Sequence, residues 1–222
     1  MKNGLREIDT FLFDLDGTLI DSAKDIAEAV NYALRQLGLS ELPEEEIIKH
    51  VGYGARNLMK DVLQTEDEEL IEKATKLFTE YYFQHPVVYT KPYPYIPETL
   101  EILKAKNKKI GVITNKRASL SKEILEKLDL LKYIDIVIGP ETTGEKKPSP
   151  KPVLYALQNL KSNPDEAILI GDSEVDIQAG KSAGTKTGLV KYGYGKIHLA
   201  LAENPDIIFE TPEDLYKFAK EI

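Results

Sequence analysis

From Lys109 to Phe209 the chain alternates short apolar runs, "KIGVIT", "IDIVIG", "AILIGD", "KTGLV" and "DIIF", with amphipathic stretches of helical period. A strand that is apolar without alternation must be covered on both faces. Helices placed between successive strands supply that cover, so the pattern predicts an α/β fold built on a mostly parallel sheet. "IDTFLFDLD", residues 8–16, adds one more strand of this kind near the start. A length of 222 residues accommodates one large domain or a main domain carrying a smaller one.

The alternation breaks after that first strand, and from Ser22 to about Pro92 the sequence predicts no strand. Ile26, Ala29, Val30, Ala33, Leu34 and Leu37 mark one helix face ended by Gly38, and "LPEEEIIKH" opens another helix with Pro43 in its first turn. Leu70, Ile71, Ala74, Leu77, Phe78 and Tyr81 mark a further helix, closed off by the proline-rich "HPVVYTKPYPYIP", whose tyrosines are expected to serve as hinge and packing residues. The expected organisation is a Rossmann-like parallel-sheet core of residues 1–20 and 93–222, with an α-helical cap, residues 21–92, inserted after the first strand. Within the cap, "VGYGARNLM" reads as a loop.

Composition excludes several classes. A formal charge of −8, from 29 basic and 37 acidic side chains, argues against a nucleic-acid binder, which presents a concentrated basic face. No apolar stretch is long enough to span a bilayer, and "MKNGLREIDT" lacks the apolar core of a secretory signal, so a cytoplasmic protein with no membrane partner is expected. With no cysteine, any metal must be held by oxygen or imidazole. His50, His85 and His198 share no metal-ligand spacing.

Oxygen is abundant where the strands end. Asp14 and Asp16 lie two residues apart at an extended strand end and point to the same side, and Gly17 permits a sharp departure. "ILIGDSEVD" repeats the arrangement with Asp172 and Asp176. Ligands of open parallel sheets bind beyond the carboxyl ends of the strands, so the two loops are expected to face each other around Mg²⁺. "GVITN" brings Thr114 and Asn115 to the same rim, and "GEKKPSPKP" brings Lys146 and Lys147, with the "PSP" that follows favouring Lys147. A hydroxyl and an amine beside carboxylates and Mg²⁺ suit a transferring phosphoryl group. Taken singly, "DLDGT" reads as a solvated acidic turn, Thr114 as a helix cap and the lysines as surface residues. "KYGYGK" lacks Walker spacing and reads as a plain turn.

In the order "DLDGT", "VITN", "KKPSP", "GDSEVD" the chain resembles the haloacid dehalogenase superfamily of phosphohydrolases over nearly its whole length. The insert, "VGYGA" and "GDSEVDIQAGKSAG" resemble phosphoglycolate phosphatases within it. The resemblance implies that Asp14 is the nucleophile that forms an aspartyl-phosphate and that Asp16 is the general acid and base. It implies that Thr114 and Lys147 hold the phosphoryl oxygens, with Asn115 beside them, and that Mg²⁺ sits between Asp14, the backbone carbonyl of Asp16, and Asp172. Asp176 orients that metal site, and the cap closes over a small phosphorylated metabolite. In the cap, Gly52 and Gly54 are expected to let the loop approach the substrate, and Arg56 or His50 to meet a small carboxylate such as that of 2-phosphoglycolate.

Pyrophosphate, small nucleotides and sugar phosphates remain open as substrates. A phosphosugar mutase is disfavoured because "DSAKDIAEAVNYALRQ" holds no histidine, phosphonate hydrolysis because Asp16 is present, and a receiver-type signalling domain because of the insert. A silent binding protein would be expected to lose one of Asp14, Asp16, Lys147 or Asp172, and none is missing. The chain is expected to be a monomer or homodimer.

Overall fold

The computed structural model describes residues 8–222, so most of the opening stretch read above for a secretory signal lies outside the described residues. The strands are β1 (Thr10–Phe13), β2 (Ile20–Asp21), β3 (Lys91–Pro92), β4 (Lys109–Ile113), β5 (Ile136–Ile138), β6 (Ala167–Gly171), β7 (Lys186–Val190) and β8 (Ile207–Phe209). Six of them form one sheet in the order β5-β4-β1-β6-β7-β8, and every neighbouring pair is parallel. β1 is central: Phe13 faces Val112 of β4 on one side and Ile170 of β6 on the other.

The unbroken apolar runs follow from this layering. Phe11, Phe13, Ile110, Val112, Ile168 and Ile170 enter one core cluster. Residues that alternate with them in the strands, Leu12, Ile113 and Leu169, enter a second cluster with Val153, Leu157 and Ala179 from the helices Lys151–Leu160 and Glu174–Ala183. Both faces of the central strands are therefore buried, each large apolar side chain contributing about 1.5–3 kcal/mol.

Between β2 and β3 lie four helices: α1 (Ala23–Gln36), α2 (Glu44–Ile48), α3 (Ala55–Leu63) and α4 (Glu68–Gln84). The periodic face of α1 is buried and packs on α4, where Ala74, Phe78 and Tyr82 are buried in turn. Tyr32 stacks on Tyr81, with ring centroids 4.4 Å apart. Asp67 caps α4 by accepting from the amides of Glu69 and Leu70. Buried Asp25 of α1 clamps the returning chain, accepting from the amides of Val88, Tyr89 and Thr90 and from the Thr90 hydroxyl at 2.6 Å. Among the described residues no helix is long and apolar enough to cross a membrane.

Two features depart from the sequence reading. The stretch expected to lack strands ends in the two-residue β3, which pairs antiparallel with β2 through Ile20–Pro92 and Asp21–Lys91; a pairing of that length leaves no pattern in the sequence. The supposed loop "VGYGARNLM" holds α3. Gly52 (φ +122°) and Gly54 (φ +87°) make the turn, Gly54 caps the helix, and Leu58, Met59 and Val62 bury its inner face.

Candidate active site

Asp14 is the first residue beyond β1, and its amide donates to Ile170 of β6 at 2.8 Å, which pins it to the rim. Thr114 follows β4 in the same way, bonded to Ile138 of β5 at 3.0 Å, and Asp172 follows β6. Asp176 stands in the first turn of the helix Glu174–Ala183 and caps it by accepting from the Ser173 amide (3.0 Å) and hydroxyl (2.6 Å). Parallel neighbours end at the same level, so three separate sequence motifs meet at one edge.

Lys147 is the centre of this edge. It is 2% exposed, and its ammonium lies 2.7 Å from Asp14 Oδ1 and 2.6 Å from Asp176 Oδ1. Its backbone is bracketed by the Asn115 carboxamide, which accepts from the Lys147 amide at 2.9 Å and donates to its carbonyl at 3.1 Å. Asn115 also donates to the Gly52 carbonyl at 2.8 Å. The Asn115 side chain is thus spent on the protein, holding Lys147 and the insert, and does not reach for a ligand. Lys146 does similar work, donating to the Tyr53 carbonyl at 2.6 Å and to Asn57 Oδ1 at 3.0 Å. It is a tether for the insert, which corrects its reading as a phosphate-binding group.

Asp14, Asp172 and Asp176 each offer a carboxylate oxygen, and these lie within 4.8 Å of one another. One ammonium does not balance them. Burial, with the charges of Asp176 and Asp16 added, pushes Asp14 up to about 7 against the pull of Lys147. Burial and the neighbouring carboxylates push Asp172 up as well. A hard divalent cation fits such a donor set. The oxygens are not equivalent. Both of Asp176 are already bonded, to Lys147 and to Ser173, whereas Asp14 Oδ2 and Asp172 Oδ1 accept nothing among the described residues. The Asp16 carbonyl also accepts no backbone hydrogen bond among them.

Asp16 has partners that sequence reasoning missed. Its Oδ1 accepts from the Lys116 ammonium at 2.7 Å and from the Ser22 hydroxyl at 2.5 Å. Burial works to lower the Lys116 pKa, but the Asp16 charge and the Tyr82 phenol outweigh it and hold the amine protonated. Tyr82, from α4 of the insert, accepts from the same ammonium at 2.8 Å and lies under it, 4.5 Å from ring centroid to nitrogen. The only sequence signal was position: Lys116 stands just past the "VITN" strand end, on the rim.

A cavity of about 160 Å³ opens between rim and insert. Asp14, Asp16, Thr114, Asn115, Lys116 and Arg117 line it from the core. Gly52, Gly54, Ala55, Leu58, Phe78 and Tyr82 are among the residues that line it from the insert. Gly54 is placed as expected, but Arg56 is not. One step round α3 from Ala55, it is half exposed, pairs with Glu68, and does not line the cavity. His50 sits beside Asp61 instead.

A parallel sheet whose central strand ends in buried carboxylates, facing a helical insert across a cavity, is the construction of an α/β enzyme with its site at the carboxyl edge. This chain belongs to the haloacid dehalogenase-like hydrolase family, whose model matches residues 11–190. It is 48% identical to the phosphoglycolate phosphatase of Aquifex aeolicus (strain VF5), over 93% of this chain and 94% of that one. It is 36% identical to the phosphoglycolate phosphatase of Neisseria meningitidis serogroup A, over 98% and 96%. Its fold is similar to the crystal structure of a predicted phosphoglycolate phosphatase from Haemophilus somnus 129pt, with a TM-score of 0.86, 29% identity, and coverage of 95% of this chain and 97% of that one.

Proposed function

We propose that this chain is a Mg²⁺-dependent phosphomonoester hydrolase acting on 2-phosphoglycolate through an aspartyl-phosphate at Asp14. The observation that carries the reading is the pair Asp14 and Asp16 on the wall of one cavity: Asp14 has one oxygen held by Lys147 and the other without a described donor, and Asp16 stands two residues away. Asp14 Oδ attacks phosphorus while the bond from phosphorus to the ester oxygen breaks, and that oxygen takes a proton from Asp16. Asp16 then takes a proton from water, the resulting hydroxide attacks phosphorus, and inorganic phosphate leaves as the Asp14 carboxylate is restored. Lys147 and Thr114 hold the phosphoryl oxygens. Asp14, the Asp16 carbonyl and Asp172 would hold Mg²⁺, which when bound draws off charge from the phosphoryl group, while Asp176 keeps Lys147 and Ser173 in place.

Residues 21–92 form a cap, by this reading, and their apolar lining keeps bulk water from the reacting groups. Lys116 and Arg117 on the cavity wall supply positive charge for a carboxylate on the leaving group. The names of the relatives support glycolate as that group. Purified protein assayed with Mg²⁺ against 2-phosphoglycolate, pyrophosphate, a sugar phosphate and an aryl phosphate tests the reading. Higher kcat/KM for 2-phosphoglycolate is expected. Preference for pyrophosphate or the sugar phosphate removes the substrate, and no hydrolysis of any ester removes the reaction.

A further inference from the structure

The "KYGYGK" stretch is not the plain turn that its spacing indicated. Leaving β7, it folds back onto Asp172 so closely that a Cβ at Gly193 would overlap the Asp172 side chain and the Gly17 carbonyl, and one at Gly195 would overlap the Asp172 carbonyl. Both positions require glycine because backbone must touch backbone there. The approach delivers two amides, of Tyr194 at 2.7 Å and Gly195 at 3.0 Å, to the same oxygen, Asp172 Oδ2. The phenols on either side of Gly193 moor the loop. Tyr192 donates to the Thr18 carbonyl at 3.1 Å and packs edge-on against Tyr93. Tyr194 donates to Asp21 Oδ1 at 3.0 Å and accepts from the Ser22 amide at 2.5 Å, so its hydroxyl is used both ways on β2 and the start of α1.

We propose that this loop is a positioning element for Asp172 and that the Tyr194 phenol is its anchor: moored to β2, it keeps two amides on Oδ2 and so leaves Oδ1 as the oxygen open to a cation. A carboxylate otherwise rotates freely about its last bond. Two charge-assisted bonds on one oxygen remove that freedom before a cation arrives, and partners of metal ligands commonly change metal affinity by about 10–100-fold. The inference rests on the reading of Asp172 as a metal ligand.

Isothermal titration of Mg²⁺ into the substrate-free protein, wild type against Tyr194→Phe, tests it, with turnover followed as a function of Mg²⁺. The expected result is a rise in the Mg²⁺ dissociation constant of about tenfold or more, with the turnover lost at low Mg²⁺ recovering as Mg²⁺ is raised. Asp21→Ala, which removes one of the phenol's two partners, should move the constant in the same direction by a smaller factor; it serves if Tyr194→Phe does not fold. A constant within about twofold of wild type in a folded variant overturns the proposal, as does a loss of turnover that Mg²⁺ fails to restore, because the phenol would then act through Ser22 and Asp16. A wild-type protein that takes up no Mg²⁺ overturns the metal reading itself, and the loop's role with it.

Discussion

The two walls of the cavity are built from different materials. The core contributes the carboxylates of Asp14 and Asp16, the Thr114 hydroxyl, the Asn115 amide, the Lys116 ammonium and the Arg117 guanidinium beside one apolar side chain, Leu120. The insert contributes mostly apolar groups, Ile26, Val51, Leu58, Phe78 and Phe83 among them, with the hydroxyls of Thr79 and Tyr82. The insert's own charges lie outside: Arg56 pairs with Glu68, and Lys60 with Glu66. By the proposed mechanism the reacting groups therefore sit at or just beyond strand ends fixed by parallel pairing. The insert supplies shape and dryness, which strengthen every charge interaction on the opposite wall. By the proposed reading, charge recognition of the leaving group falls to the rim, where Lys116 and Arg117 line the cavity.

That division is sharpest at Asp14. Asp14→Asn should abolish turnover while far-ultraviolet circular dichroism stays that of the wild type, since asparagine keeps the shape without the nucleophile; substantial hydrolysis by the folded variant would end the covalent reading. Asp16→Asn is expected to lower kcat by roughly 10²–10⁴ with alkyl phosphates and by less with an aryl phosphate, whose oxygen leaves without a proton. Equal losses on both would take the acid's role from Asp16.

A smaller effect is expected in pH dependence. Asp14 is raised from 3.8 to about 7 in the folded protein, so with chelator present it binds its proton more tightly folded than unfolded. Its stabilising contribution is full below about pH 4 and is lost as pH rises through about 7. Mg²⁺ takes the proton's place, so the gain in melting temperature on adding Mg²⁺ should grow from pH 5 to pH 8, and grow less in Asp14→Asn. A gain that is flat with pH contradicts the carboxylate cluster as the metal's seat. The smallest effect belongs to the insert's outer face: Arg56→Ala should change stability by no more than about 0.5 kcal/mol and leave the preference for 2-phosphoglycolate over an aryl phosphate intact. A loss of that preference would return charge recognition to the insert and break the contrast between the walls.

What was legible in the sequence was local. The sheet strands follow from uninterrupted apolar runs, Asp14, Thr114 and Asp172 from their place just after strand ends, and Lys147 from the "PSP" that follows it. What was not legible depends on partners far apart in the chain. Lys116 carried no signal beyond its place past a strand end, and only folding sets it between Asp16 and Tyr82. Tyr194 looked like turn filler because its hydrogen bonds reach back to Asp21 and Ser22. Arg56 misled because nearness in sequence to Gly54 was taken for nearness in space, and one helical step of about 100° was enough to turn it away.

The short ribbon of β2 and β3 also bears on how quickly the chain can assemble. β1 must find β4 with Thr10 opposite Lys109, across a long stretch of chain. Once Ile20 meets Pro92 and Asp25 grips the returning segment, the insert hangs outside the path between the strands. The effective loop shortens roughly fourfold, which removes about 1 kcal/mol of closure entropy from the central pairing. A crossover that looks slow by its separation in sequence is thereby made nearly local, and the contact order that governs the core's folding rate is that of the chain with the insert tied off.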